Sequence, residues 1–110
     1  MPSPSLLAWE NRGGHMLATF QCADTLLDDA NIQLVGEELF KVLDRSRPTT
    51  LVLDLSRVAY VGASALTLFL RLRNVLLARH GNLILVNPQS EVYEIFELTN
   101  LDQVMDMRLK

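Results

Sequence analysis

Several things are scarce in this 110-residue chain, and each scarcity removes a class of function. The one cysteine, Cys22, can close no internal disulfide and belongs to no metal-ligand motif, so a reducing, cytoplasmic setting is the simplest expectation. No apolar run approaches the roughly 18 residues that a membrane helix needs. Even the greasiest segment, residues 64–77, carries Arg71 and Arg73, so no membrane association is expected. The opening Met-Pro-Ser-Pro-Ser lacks the basic end and apolar stretch of a secretory signal, and residues 1–4 are expected to be flexible. There is no basic cluster, and the net charge of −3 argues against nucleic acid as a partner. Trp9 is the only tryptophan and is expected to pack a hairpin, not to stack a base. Arg12-Gly-Gly14 is too short to cradle a phosphate.

The composition itself specifies a folded domain. Hydrophobic residues at 49% against 21% charged exceed what a disordered chain carries, and the length suits one core over residues 1–110. No internal repeat or low-complexity tract divides it.

Residues 6–10 and 16–22 read as short extended segments, with Asn11-Arg-Gly-Gly14 as the hairpin turn. Asp28 and Asp29 precede Ile32, Val35, Leu39 and Leu43 at helical spacing, and suit a helix N-terminus. Arg45 suits its other end, Pro48 closes it, and Glu37, Glu38, Lys41 and Asp44 give it a wet face. Residues 51–55 are too apolar to alternate and read as a strand buried on both faces. Residues 64–80 form a second helix, with Gly81 where a left-handed C-cap would sit. Leu83-Ile-Leu-Val86 is a further buried strand ended by Pro88. Ser90 is a good N-cap for a third helix carrying Glu91 and Glu94 early and Val92, Ile95 and Phe96 inward. Residues 101–109 hold a last strand or docking tail around Val104 and Met107. Strand–helix–strand units call for parallel pairing with right-handed crossovers. The expected fold is α/β, a mixed sheet with an N-terminal hairpin and parallel central strands, packed against helices.

The second helix carries more grease than one sheet face can use. Its apolar arc spans roughly 220°, against the ~100° that covers a sheet. Either the helix is packed by the sheet and neighbouring helices, or part of the arc near Leu66 and Leu70 docks another protein. Ser64 opens this helix beside a polar stripe of Thr67, Arg71 and Asn74. It is either a helix cap or a hydroxyl poised for use where the free N–H groups and the helix dipole favour negative charge.

Enzymatic readings fail on their partners. Gly62-Ala-Ser-Ala-Leu66 overlaps a G-x-S-x-G nucleophile elbow but ends in Leu66. His80 lies sixteen residues down the same helix, about 24 Å away at 1.5 Å per residue, and nothing brings His15 near. Asp54, near the carboxyl end of a buried strand, is expected to bond a backbone turn, and Asp24, Asp28 and Asp29 to serve as loop and cap residues and not as a metal site. No cofactor is called for.

In order along the chain, Leu51-Val-Leu-Asp-Leu-Ser, Tyr60-Val-Gly-Ala-Ser-Ala-Leu66, Gly81-Asn-Leu-Ile-Leu-Val-Asn-Pro88 and Leu98-Thr-Asn-Leu-Asp102 resemble a STAS domain, the fold of bacterial anti-sigma factor antagonists. The resemblance covers most of the chain. It implies a noncatalytic module of signal transduction and transcription regulation that binds an anti-sigma factor which is also a GHKL-type serine kinase. That kinase phosphorylates one serine at the start of the second helix, and a PP2C-type phosphatase reverses it. Ser64 is the acceptor the resemblance implies. Asp24, Tyr60, Gly62, Ala63, Ala65, Leu66, Thr67, Leu70 and Arg71 are the implied partner-binding residues around it. The family's turn reads Asp-Ser-Ser-Gly, where this chain has Gly62, Ala63, Ser64 and Ala65. Thr25-Leu-Leu-Asp-Asp-Ala-Asn-Ile-Gln33 looks like a divergent branch whose switch turn is degenerate, so the alternative expectation is an interaction or assembly module that is never phosphorylated.

Overall fold

A computed structural model describes residues 6–109, so the expected flexibility of residues 1–4 falls outside the described part. Gly13 and Gly14 both take positive φ, 59° and 92°. Positive φ at both central positions is what a two-residue hairpin of matching twist requires. The loop is therefore two residues shorter than expected. It joins β1 (Leu7–Arg12) to β2 (His15–Phe20) in antiparallel register.

Beyond the hairpin come β3 (Thr25–Leu27), α1 (Ile32–Ser46), β4 (Thr50–Asp54), β5 (Val58–Val61) and α2 (Ala63–Ala78). Then follow β6 (Asn82–Val86), α3 (Ser90–Leu98), a 3₁₀ turn at Leu101–Gln103 and β7 (Asp106–Arg108). The main sheet runs β1-β2-β4-β6-β7, and every pair except β1–β2 is parallel. Three successive crossovers step the same way across this sheet. Right-handed crossovers of that kind put all three helices on one face.

Burial follows from this. Met16, Ala18 and Phe20 of β2 and Leu51 and Leu53 of β4 are sealed, whereas Thr50, Val52 and Asp54 between them are half-buried. The expectation that residues 51–55 are buried on both faces is thus corrected, because the helices of the described residues all lie on one face. Only β6 keeps three consecutive buried residues, Leu83, Ile84 and Leu85.

The greasy arc of α2 has its explanation in the helix layer. A Cβ on Gly36 of α1 would lie 3.2 Å from the Leu68 side chain, so the two helices touch there with no room to spare. On the opposite flank the rings of Phe69 and Phe96 stack with centroids 6.2 Å apart. With the sheet beneath and a helix on either side, α2 buries Ala65, Leu66, Leu68, Phe69, Leu72 and Leu76.

Several local expectations are corrected. His80, not Gly81, takes the left-handed conformation after α2, with φ of 60°. Gly81 is needed for a different reason: a Cβ there would come within 2.4 Å of the Thr49 carbonyl oxygen. The N-cap of α3 is Gln89, and Ser90 is already helical. In the tail Met105 is buried and Val104 is exposed. Glu38 is not on a wet face of α1. Its carboxylate is half-buried and accepts the backbone N–H of Leu6 and Leu7, both at 3.0 Å, and the indole N–H of Trp9 at 3.1 Å.

Candidate functional site at the paired helix mouths

Two short strands that the chain's periodicity did not announce build the site. β3 and β5 pair in parallel as a separate two-stranded sheet. Thr25 N–H donates to the Arg57 carbonyl at 2.8 Å at one end, and Gly62 N–H donates to the Leu27 carbonyl at 2.9 Å at the other. The loop that leaves β3 toward α1 and the turn that leaves β5 toward α2 are thereby held side by side.

The two helices then climb together. Gly36 meets Leu68, the Arg71 guanidinium stands 5.3 Å from the centre of the Phe40 ring, and Arg79 Nη1 donates to the Leu43 carbonyl at 3.2 Å. Positions rising in step on both helices mean that α1 and α2 are parallel, so their N-termini open at the same end. Both dipoles favour negative charge there.

Ser64 is the second residue of α2, one past the Ala63 that opens it. The N-cap is Gly62, so the reading of Ser64 as a cap is corrected. The Ser64 hydroxyl instead donates to Asp29 Oδ1 across the two mouths. The two adjacent acids divide their work. Asp28 Oδ1 accepts the N–H groups of Ala30 (3.0 Å) and Asn31 (3.3 Å) and so shapes the loop. Asn31 Oδ1 accepts Asp28 N–H at 3.2 Å, and its amide donates to the Leu26 carbonyl. Neither acid lies in the first turn of α1, whose N-cap is Asn31. Asp28 is thus a loop residue, as expected, whereas Asp29 makes a cross-helix contact with Ser64 in place of one at its own helix end.

Around Ser64 the surface is mixed. Leu26 and Tyr60 are register partners on the small sheet, 49% and 47% exposed. The Tyr60 ring edge would stand 3.4 Å from a Cβ on Gly62. Ala63, Thr67 and Arg71 are exposed, Leu70 and Gly62 are half-buried, and Thr67 Oγ1 is turned back to the Ala63 carbonyl at 3.1 Å. Asp24 is exposed with φ of 56°. Ala65 and Leu66 are buried and pack inward, because their side of α2 faces the core. The apolar surface beside Ser64 thus comes from Leu26 and Tyr60, with Leu34 exposed on the first turn of α1. Leu26 and Leu34 are not singled out by the sequence, which offers Asp29 only as a loop or helix-end residue and not as a partner of Ser64. A three-residue strand leaves almost no period to read, and Asp29 is 35 positions from Ser64.

The chemistry of nucleophilic catalysis is not assembled here. His80 follows the far end of α2, and His15 opens β2 at the amino edge of the parallel strands, away from the helix mouths. Asp54 is committed to a turn, accepting Ser56 N–H at 2.8 Å, beside an open cleft of about 660 Å³ that Asn87, Gln89 and Tyr93 also line. Among the described residues no three His, Cys, Asp or Glu side chains are placed to hold a metal ion, and no helix is long and apolar enough to cross a membrane.

A family model, the STAS domain, matches residues 18–110. No curated protein matches the sequence. Among solved structures, the Thermotoga maritima protein TM1081 superposes with a TM-score of 0.82 at 19% identity, over 93% of this chain and 85% of its own. The anti-sigma factor antagonist SpoIIAA from Bacillus, in its unphosphorylated form, gives 0.75 at 20% identity over 92% of this chain and 86% of its own. A variant of Moorella thermoacetica RsbS gives 0.73 at 19% identity over 96% and 88%. Identities this low establish a shared fold.

Proposed function

The chain belongs to the STAS domain family, and from that premise we propose that it is a noncatalytic regulatory module of the anti-sigma factor antagonist kind. Its partner is an anti-sigma factor that is also a GHKL-type serine kinase, met in the cytoplasm, and a PP2C-type phosphatase resets it. Binding is switched by phosphorylation of Ser64. The observation that carries this reading is the Ser64 hydroxyl itself. It sits half-buried at a helix mouth, hydrogen-bonded to an acid, beside the exposed Leu26–Tyr60 pair. SpoIIAA, which shares the fold, has been solved in a phosphorylated form.

The physics of the switch is simple. A phosphate on Ser64 adds about −1.5 to −2 charges at pH 7. The first turn of α2 holds no acid of its own, and its unpaired N–H groups favour the charge. A partner covering Leu26, Tyr60 and the turn would have to desolvate the dianion, so affinity falls by several kcal/mol with the fold intact.

One observation favours a second reading, an interaction or assembly module that is never phosphorylated: Gly62 and Ala65 stand where the family turn has an acid and a glycine. A single experiment separates the two. The chain is incubated with the kinase and ATP, uptake is read by intact mass, and partner affinity is measured beside it. One phosphate, absent in Ser64→Ala, with binding lost on modification, supports the switch. No uptake, with binding retained in Ser64→Ala, supports the second reading.

A further inference from the structure

We infer that Asp29 is the sensor of Ser64 modification: a negative charge on residue 64 expels the Asp29 carboxylate and releases the 28–31 loop from the mouth of α2. The inference rests on the reading of Ser64 as the modified residue. It concerns what the chain does next, with no partner present.

The observations are these. Asp29 Oδ1 is the acceptor for the Ser64 hydroxyl, so the donor proton on Ser64 is what holds the carboxylate there. Esterification of that oxygen removes the proton and sets a dianion against a carboxylate. Among the described residues no cation is ion-paired with Asp29 to absorb the clash. The ion pairs among the described residues join Arg12 to Glu10, Arg79 to Asp44 and Arg108 to Asp106. The nearest cation along α2, Arg71, is two turns on and lies over Phe40.

The two anions also compete unequally. The new charge is covalently fixed in the first turn of α2, where the unpaired N–H groups favour it. Asp29 is on an exposed loop and can leave. That loop ties directly to the apolar surface, because the Asn31 amide donates to the Leu26 carbonyl and Leu26 is the register partner of Tyr60. Modification therefore reshapes the face a partner meets, in addition to charging it. The acid that this chain lacks at position 62 is supplied in space by Asp29, from an element that can move.

The test uses the full chain alone, with amide hydrogen exchange followed by NMR. The forms compared are wild type, Ser64→Glu, Ser64→Gln and Ser64→Glu combined with Asp29→Asn. The expected result is exchange at Asn31 and Ile32 at least about tenfold faster in Ser64→Glu. Wild-type rates, within about threefold, are expected in Ser64→Gln and in the double variant. Leu53 and Leu85 amides in the central strands report whether the core is intact. Unchanged loop exchange in Ser64→Glu overturns the inference, as does equal acceleration in Ser64→Gln, which would make it a matter of size. Loss of core protection in Ser64→Glu that Asp29→Asn repairs supports it; loss that Asp29→Asn does not repair overturns it. No kinase enters the experiment, so its failure and that of the phosphorylation reading are separate results.

Discussion

Replacing Glu38 by alanine should loosen the N-terminal strand before it loosens anything else. The carboxylate accepts three donors from β1 and the residue before it: Leu6 N–H, Leu7 N–H and the Trp9 indole. A hydrogen bond to a charged group contributes about 1.5–3 kcal/mol where water is excluded. Leu7 is almost wholly buried, so its N–H has no ready substitute. Leu6 and Trp9 are half-buried, and water replaces part of what they lose. The sum is about 2–4 kcal/mol, a large share of the roughly 5–15 kcal/mol of a small domain. With a urea slope of about 1–3 kcal/mol per molar, the midpoint falls by about 0.7–4 M. β1 is an edge strand and, among the described residues, pairs only with β2, so the loss can also appear as local detachment. Trp9 is the single tryptophan and reports that strand alone. The assay is urea unfolding followed by tryptophan emission and by far-ultraviolet circular dichroism. In Glu38→Ala the emission transition should precede the dichroism transition, whereas in wild type the two coincide. A shift worth less than about 0.5 kcal/mol, with coincident transitions, would refute the reasoning, since it would mean that water satisfies all three donors as well as the carboxylate does.

Two further substitutions probe glycines with opposite expectations. Gly81→Ala forces a methyl group to within 2.4 Å of the Thr49 carbonyl oxygen, a backbone atom that cannot rotate away. Thermal unfolding should show a loss of at least about 1–3 kcal/mol, and little change would mean the β6 start shifts freely. Gly62→Asp restores an acid to the family position, where φ is −88° and the nearest atoms to a new Cβ are 3.4 Å away or more. Aspartate is a good N-cap, so stability should rise by a few tenths of a kcal/mol; a clear loss in chemical denaturation would show that charge repulsion from Asp29 outweighs the cap.

The residues themselves determined a good deal. Two adjacent glycines that accept positive φ at 13 and 14 specify a tight hairpin, and the apolar runs at 51–55 and 83–86 specify the central strands. Helical spacing of Val35, Leu39 and Leu43 specifies the buried stripe of α1, because periodicity is a local property that each segment carries alone. The ordered motifs from Leu51 to Asp102 were enough to suggest the family. Only the tertiary structure decided what surrounds Ser64. Whether Leu66 faces solvent or the core depends on where α1 and α3 flank α2, and no window of sequence contains that. The three-residue β3 is too short to show a period, yet its pairing with β5 sets the 28–31 loop against the α2 turn. That juxtaposition gives Ser64 its acid from 35 residues away, because a hydrogen bond depends on distance in space and not along the chain.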